Sequence, residues 1–315
     1  MKKTILYIYL IILCLPLLSL AELGTGGYAG AHMKLSLEPR PAAMGGAYIA
    51  ISDDAAGQLY NPAGVSAIRH SVFTSSYRAM TLDRSMGFVS FIMPTRNKSA
   101  LGLSWQFVGS GSVDIRNNDG DNMGTAMSSN EHIFAITFSK QFTPFLGLGA
   151  KLQYLLKDGF SAGGTATKRD FDVIYDNGTS SIGINLGGLL FVDSLFEYGT
   201  MEAKPINDIK VGLVFKNLAA EYKYSSNDNP NLSSAPADKL PYIATGGVSF
   251  KTFQRNLLVA LDLEKVEKRS IAVKFGGEYR YNNKFALRTG LDDGIITAGL
   301  GYQFDLGEKN ILEFD

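Results

Sequence analysis

From residue 71 onward, apolar and polar side chains alternate in period two through a series of segments about ten residues long, each closed by Gly, Asn, Asp or Pro. In 100–108, Leu101, Leu103, Trp105 and Phe107 share one face, and Ala100, Gly102, Ser104 and Gln106 share the other. In 132–142, Phe134, Ile136, Phe138 and Phe142 oppose Ala135, Thr137, Ser139 and Gln141. The same pattern returns in 146–154, 181–190, 209–216, 256–264, 271–281 and 296–304. Strands of soluble domains average about five or six residues, whereas a tilted strand crossing a bilayer needs about nine to eleven. The polar face is made of Gly, Ser and Gln with scattered Lys, Glu, Arg and Asp, which suits a polar lumen, and the opposite face suits lipid. Aromatic residues at segment ends, such as Phe107, Phe142, Tyr154, Phe215, Tyr281 and Phe304, fit the interfacial girdles of such barrels. The pattern predicts an all-β fold, a transmembrane antiparallel β-barrel spanning 71–315.

Connection lengths support this reading. Those at about 109–130, 158–178 and 218–240 are each about twenty residues long and fall on one parity, whereas those at about 95–97, 143–144 and 252–254 are short turns. The connection at 192–208 breaks the rule and leaves room for an extra helix or small strand. About thirteen strands can be counted, and bacterial single-chain barrels have even numbers, so the expected total is about fourteen. The last segment, Asn310 to Asp315 with Leu312 and Phe314 on one face, stops midway, and we expect a C-terminally truncated copy or fragment.

The first 21 residues read as a secretory signal: Lys2 and Lys3, an apolar run from Ile5 to Leu18, then Ser19-Leu20-Ala21 with small residues placed for cleavage. Cys14, the single cysteine, lies inside it, so the exported chain carries no thiol. Beyond the signal no run of about twenty apolar residues exists to form a spanning helix. Formal net charge is zero and no basic cluster stands out, which argues against nucleic acid as a partner. His32, His70 and His132 are widely spread, with no nucleophile elbow or His-Glu-x-x-His motif, so we expect no enzyme activity and no cofactor. Asn117 to Asn122 offers oxygen ligands but has no downstream Glu to complete a calcium loop, so no metal site is expected.

Residues 22–70 do not alternate, and small residues dominate them. Short helices are expected around Met44 to Ile49 and after Pro62, where Asn61 can cap and Pro62 takes the first helical position. A barrel of about fourteen strands is too wide for its own side chains to fill, and this segment is suited to plug it as an N-terminal lumenal hatch. Arg40-Pro-Ala-Ala-Met-Gly-Gly-Ala-Tyr48, then Ser52-Asp53-Asp54-Ala55, then Tyr60-Asn61-Pro62-Ala63-Gly64, resembles the N-terminal hatch of the FadL-like outer-membrane barrel superfamily, most of all its PorV/PorQ branch. The resemblance implies a bacterial outer-membrane location, with outer-membrane lipids and the barrel-assembly machinery as partners. It implies passive uptake of hydrophobic small molecules such as long-chain fatty acids, or alternatively a PorV-like role in type IX protein secretion or surface attachment with a secreted protein as cargo. The candidate gating residues are Arg40, Met44, Gly45, Gly46, Asp53, Asp54, Asn61, Pro62, Ala63 and Gly64, which either contact a ligand or simply fold the hatch. Lys274, Glu278, Arg280 and Arg288, with Asp262, either hold the hatch or coat a wet interior. Gly187-Gly188 and Gly246-Gly247 are candidate points for a kinked strand or lateral opening.

Overall fold

The computed structural model describes residues 29–116, 119–158, 161–163, 178–195, 206–223, 237–267, 269–305 and 311–315; the expected signal peptide and part of the candidate oxygen-ligand loop lie outside them. The strands in chain order are β1 (Val72–Ala79), β2 (Ser85–Thr95), β3 (Ser99–Gly109), β4 (Val113–Arg116), β5 (Asn122–Ser128) and β6 (Asn130–Thr143). They continue with β7 (Leu146–Lys157), β8 (Ser161–Gly163), β9 (Thr179–Phe191), β10 (Ile206–Leu218), β11 (Glu221–Tyr222) and β12 (Asp238–Lys239). The chain closes with β13 (Ile243–Thr252), β14 (Leu257–Val266), β15 (Ile271–Tyr281), β16 (Phe285–Asp292), β17 (Ile295–Asp305) and β18 (Ile311–Phe314).

Thirteen of these form one antiparallel sheet in the order β1-β2-β3-β6-β7-β9-β10-β13-β14-β15-β16-β17-β18, an up-and-down barrel wall in which each long strand pairs with its nearest neighbours in sequence. Among the described residues no pairing joins β1 to β18. Most strands have the length a tilted membrane crossing requires: 11 residues in β2 and β3, 14 in β6, 13 in β9 and β10. The alternation maps onto the two faces as expected. Leu103, Ile136, Leu213 and Leu300 point outward and are 50–71% exposed, while Thr137, Ser139, Lys151 and Asp262 point inward and are buried. So wide an apolar exterior is stable only in hydrocarbon.

Long connections gather at one end, where three of them build structure of their own: β4 and β5 from one and β8 from another form a small sheet, and in the third β11 pairs with β12. Tight turns gather at the other end. Asn97-Lys98 and Asn282-Asn283 both take positive φ, the geometry that joins two twisted antiparallel strands with two residues. The irregular connection after β9 begins with a 3-10 turn at Val192–Ser194, the rest of it lying outside the described residues.

The hatch fills the lumen with a helix at Pro39–Ala43, a short helix at Gly57–Tyr60 and a 3-10 turn at Pro62–Ala67. The first lies just before the expected Met44 to Ile49 helix, because Pro39 and Pro41 pre-set the helical φ and the positive φ of Gly45 and Gly46 ends it. The stretch after Pro62 is capped by Asn61 as expected, its side chain accepting from the Ala63 amide, but it winds as a 3-10 turn.

The hatch seats on inward-facing glycines. A β-carbon at Gly276 of β15 would stand 2.5 Å from the Met44 carbonyl oxygen, and one at Gly212 of β10 would stand 2.7 Å from that of Ile49. Side chains at Gly149 and Gly187 would collide with Pro62 and Asn61. This corrects the reading of Gly187-Gly188 and Gly246-Gly247 as kinks: ladder pairing runs unbroken through both. Gly187 makes room for Asn61 and Gly247 for the Asp262 carboxylate. The register shifts in the barrel wall fall elsewhere, between Asn207 and Lys210, Phe215 and Leu218, and Gln141 and Thr143. Adjacent glycines on opposite faces supply a test. Gly276→Val should expel the hatch, seen as protease cleavage within 29–70, while the barrel keeps its heat-dependent gel mobility. Gly277→Val, where an added β-carbon meets nothing within 4 Å, should leave the hatch protected; equal sensitivity in the two variants would refute the seating.

Candidate functional site

The Asp262 carboxylate on β14 accepts from the backbone amides of Tyr48 at 2.7 Å and Ile49 at 2.9 Å. Thr297 on β17 accepts from the Gly45 amide at 3.0 Å and donates to the Ala43 carbonyl at 3.0 Å. Ser139 on β6 donates to the Ala63 carbonyl at 2.9 Å. Asn61 donates to the carbonyls of Ile49 at 2.9 Å and of Gly188 on β9 at 3.1 Å. The hatch has little regular structure, and its buried backbone groups need partners, which these wall side chains supply.

The strongest contact is ionic. Arg40, on the short hatch helix, sends Nε to Glu278 Oε2 at 2.8 Å and Nη2 to Oε1 at 3.1 Å, a two-pronged bond to β15. Its Nη1 reaches Asp53 and Asp54, each at 2.8 Å, and the Tyr48 hydroxyl at 2.6 Å. That hydroxyl donates to Asp54 at 2.5 Å. Glu278 is only 2% exposed and is also held by Arg280 at 2.9 Å and Arg288 at 2.7 Å. These two arginines bridge to β18 through Glu313, and Arg288 also binds Asp315.

The two hatch aspartates respond differently to this site. Burial pushes both carboxyls up, but Arg40 outweighs it at Asp53, which is held below the usual range. At Asp54 burial wins, helped by the charge of Asp53, and the carboxyl is raised. Beside them, burial lifts Glu38 from its ordinary 4.5 to about 7, against the opposing hydrogen bond from Ser76.

The gating candidates thus separate by role. Arg40, Asp53 and Asp54 form the ionic tether; Met44 and Gly45 press on β15 and β16; Asn61 and Ala63 bond the wall directly; Pro62 fits against Gly149, and Gly64 packs on Ser52 within the hatch. Gly46 lies beside the Lys274 side chain. Of the wall charges, Glu278 and Asp262 hold the hatch, Arg280 and Arg288 support Glu278, and Lys274 pairs with wall residues Glu264 at 3.1 Å and Asp292 at 3.9 Å. Tyr48 was part of the hatch motif but carried no sign of its role as the second donor to Asp54. The inward Ser139 and Thr297 stood in the polar alternation as generic lumen residues.

The hatch faces a cavity on each side. The larger, about 920 Å³, opens toward the short-turn end past Arg255 and Asn283, between β1 and β18, and reaches Arg40 and Glu278. The smaller, about 70 Å³, lies on the long-loop side against Met33, Leu37 and Tyr60.

No family model and no curated sequence matches the chain. Solved structures do. A toluene transporter of Pseudomonas putida, TodX, aligns with 89% of this chain and 91% of its own at 14% identity, with a TM-score of 0.51. A deltaS2 mutant of the TodX monoaromatic hydrocarbon channel aligns over 85% and 89% at 13% identity, with a TM-score of 0.56. A deltaS2S3 mutant of that channel aligns over 85% and 89% at 15% identity and 0.53. The chain therefore shares the fold of these hydrocarbon channel structures at a sequence distance where fold alone is shared.

Two variants probe the tether. Arg40→Met leaves Glu278, Asp53 and Asp54 without their shared cation, and losing one partner of a buried pair costs about 3–5 kcal/mol; the expected result is faster amide exchange across 39–67 and larger conductance in planar bilayers. An unchanged exchange pattern would show that the tether does not hold the hatch. For pH, the raised Glu38 carboxyl stabilises the docked hatch in its protonated form, fully below about 4.5 and progressively less as pH rises through about 7. Hatch exchange, divided by the intrinsic amide rate at each pH, should therefore quicken across that window, and Glu38→Gln should flatten the rise.

Proposed function

We propose that the protein is a bacterial outer-membrane channel for passive uptake of hydrophobic small molecules, long-chain fatty acids or aromatic hydrocarbons among them. The observation that carries the reading is a hatch that fills the barrel yet is secured by side-chain bonds to the wall rather than by continuation of the sheet. Such a plug can shift without unfolding the barrel. The fold similarity to hydrocarbon channels supports the same conclusion, as does the apolar exterior, which suits contact with lipid. A shift of the hatch would open a route past it through the lumen, and Arg40 with Glu278 is its reversible lock. The protein acts as a conduit and performs no chemistry.

The test is complementation. Expressed in a Gram-negative strain lacking its own hydrophobic-compound channels, the intact protein should raise the uptake rate of oleate or toluene at least several-fold, and Glu278→Gln should alter that rate while the barrel still inserts. No gain for either compound, together with capture of a secreted protein on the purified barrel, would overturn the proposal in favour of a secretion or surface-attachment platform.

A further inference from the structure

Residues 29–35, the part of the hatch that precedes the tethered loop, form a strap at the long-loop end of the lumen, wound into a 3-10 turn at Ala31–Lys34. Ala29 and Met33 pack on a buried cluster of Ile133, Leu155, Ala220, Tyr222 and Leu240, which joins β6 and β7 to the connection that carries β11 and β12. Ser36 marks where the strap ends: its carbonyl accepts from Arg78 of β1 at 2.8 Å, and its hydroxyl accepts from Tyr60 at 2.9 Å. The strap is thus fastened apart from the Arg40 tether and can lift without disturbing it.

His32 pins the strap. Its side chain is 11% exposed, and Nδ1 faces Glu131 Oε2 on β6 at 3.4 Å, so the neutral ring carries its hydrogen on that nitrogen. Nε2 is sealed from solvent and has no hydrogen-bond partner. Glu131 is already shared: Lys157 of β7 lies 3.7 Å from Oε1, and the Tyr222 hydroxyl of β11 donates to Oε2 at 3.4 Å. The Lys157 ammonium also sits over the Tyr222 ring, 5.8 Å from its centre. Among the described residues, Glu131, Lys157 and Tyr222 are the other titratable groups of this cluster.

The two protonation states of His32 do not fit this place equally. A neutral ring leaves one bare nitrogen there. A protonated ring would bury a second N–H with no acceptor and set its charge beside a carboxylate that a lysine already answers. Burial lowers the pKa of His32 from its ordinary 6.5, and Lys157 adds to this against the opposing pull of Glu131.

We propose that the strap is an acid-released latch: a proton taken from the medium by His32 at Nε2 lifts residues 29–35 off Glu131 and the apolar cluster. Met33 and Leu35 line the smaller cavity, so release removes part of its lining and opens it toward the long loops. Docking is at full strength above the ordinary histidine value of about 6.5 and weakens as pH falls through it, because the free strap then binds more protons than the docked one. The direction is opposite to that of Glu38, whose protonated carboxyl favours the docked hatch. The latch depends on how the hatch is seated and not on what the barrel carries.

The test is amide exchange read by mass spectrometry on the intact barrel in an uncharged maltoside detergent, with rates divided by the intrinsic amide rate at each pH. From pH 7.5 to 5.0, exchange within 29–35 should rise at least about fivefold while 39–67 does not follow. His32→Gln, which keeps a donor for Glu131, should leave the strap flat across that range. The ring protons of the wild-type histidines, followed by NMR and assigned with His70→Gln and His132→Gln, give a second reading: the His32 midpoint should lie below about 6.5. No rise in the wild type, a rise that survives in His32→Gln, an acid rise shared equally by 39–67, or a His32 midpoint at or above its ordinary value would each overturn the proposal. Should His32→Gln fail to insert, the NMR midpoint decides alone.

Discussion

The Arg40 guanidinium is buried beside Glu278, Asp53 and Asp54, and the placement of the hatch follows from it. A cation removed from water must find counter-charges. Two of them come from the hatch itself, which folds residues 40–54 into a loop around the guanidinium. The third comes from β15, which fixes that loop to the wall. Glu278 in turn would be a buried anion but for Arg40, Arg280 and Arg288. Hatch and wall each carry counter-charges of their own, and the bond between Arg40 and Glu278 joins the two clusters into one buried network.

Around this bond the fit is steric and polar in equal measure. Glycines on the inward face let the hatch backbone come within contact of the strands, and Asp262, Ser139 and Thr297 answer backbone groups that a hatch of short turns cannot pair internally. The small and polar inward face, which reads as the lining of a wet pore, is here a mould for the plug. This explains why the lumen-facing pattern is rich in Gly and Ser rather than in long charged side chains. It also explains why the paired glycines leave the strands straight: they accommodate what lies on the strand and do not bend it.

The two sides of the hatch differ in chemistry. Toward the short turns it shows the charges of the tether to a wide cavity, and toward the long loops it shows Met33, Leu37 and Tyr60 to a narrow one. On the proposed reading, a molecule entering from the long-loop side meets this apolar surface first and the ionic lock second.

Alternation along the chain was enough to give strand positions, the faces of Leu103, Ile136 and Leu300, the parity of long and short connections and the existence of a non-alternating plug, because each of these is a local property that a period of two or a turn residue writes into neighbouring positions. The Asn61 cap was legible for the same reason, being a contact two residues long. The tether was not. Arg40 and Glu278 are 238 positions apart, and no local pattern distinguishes a lumen carboxylate that holds a hatch from one that faces water. Wrapping the sheet around the hatch decided which inward residues meet, and burial then decided which of those meetings carry energy.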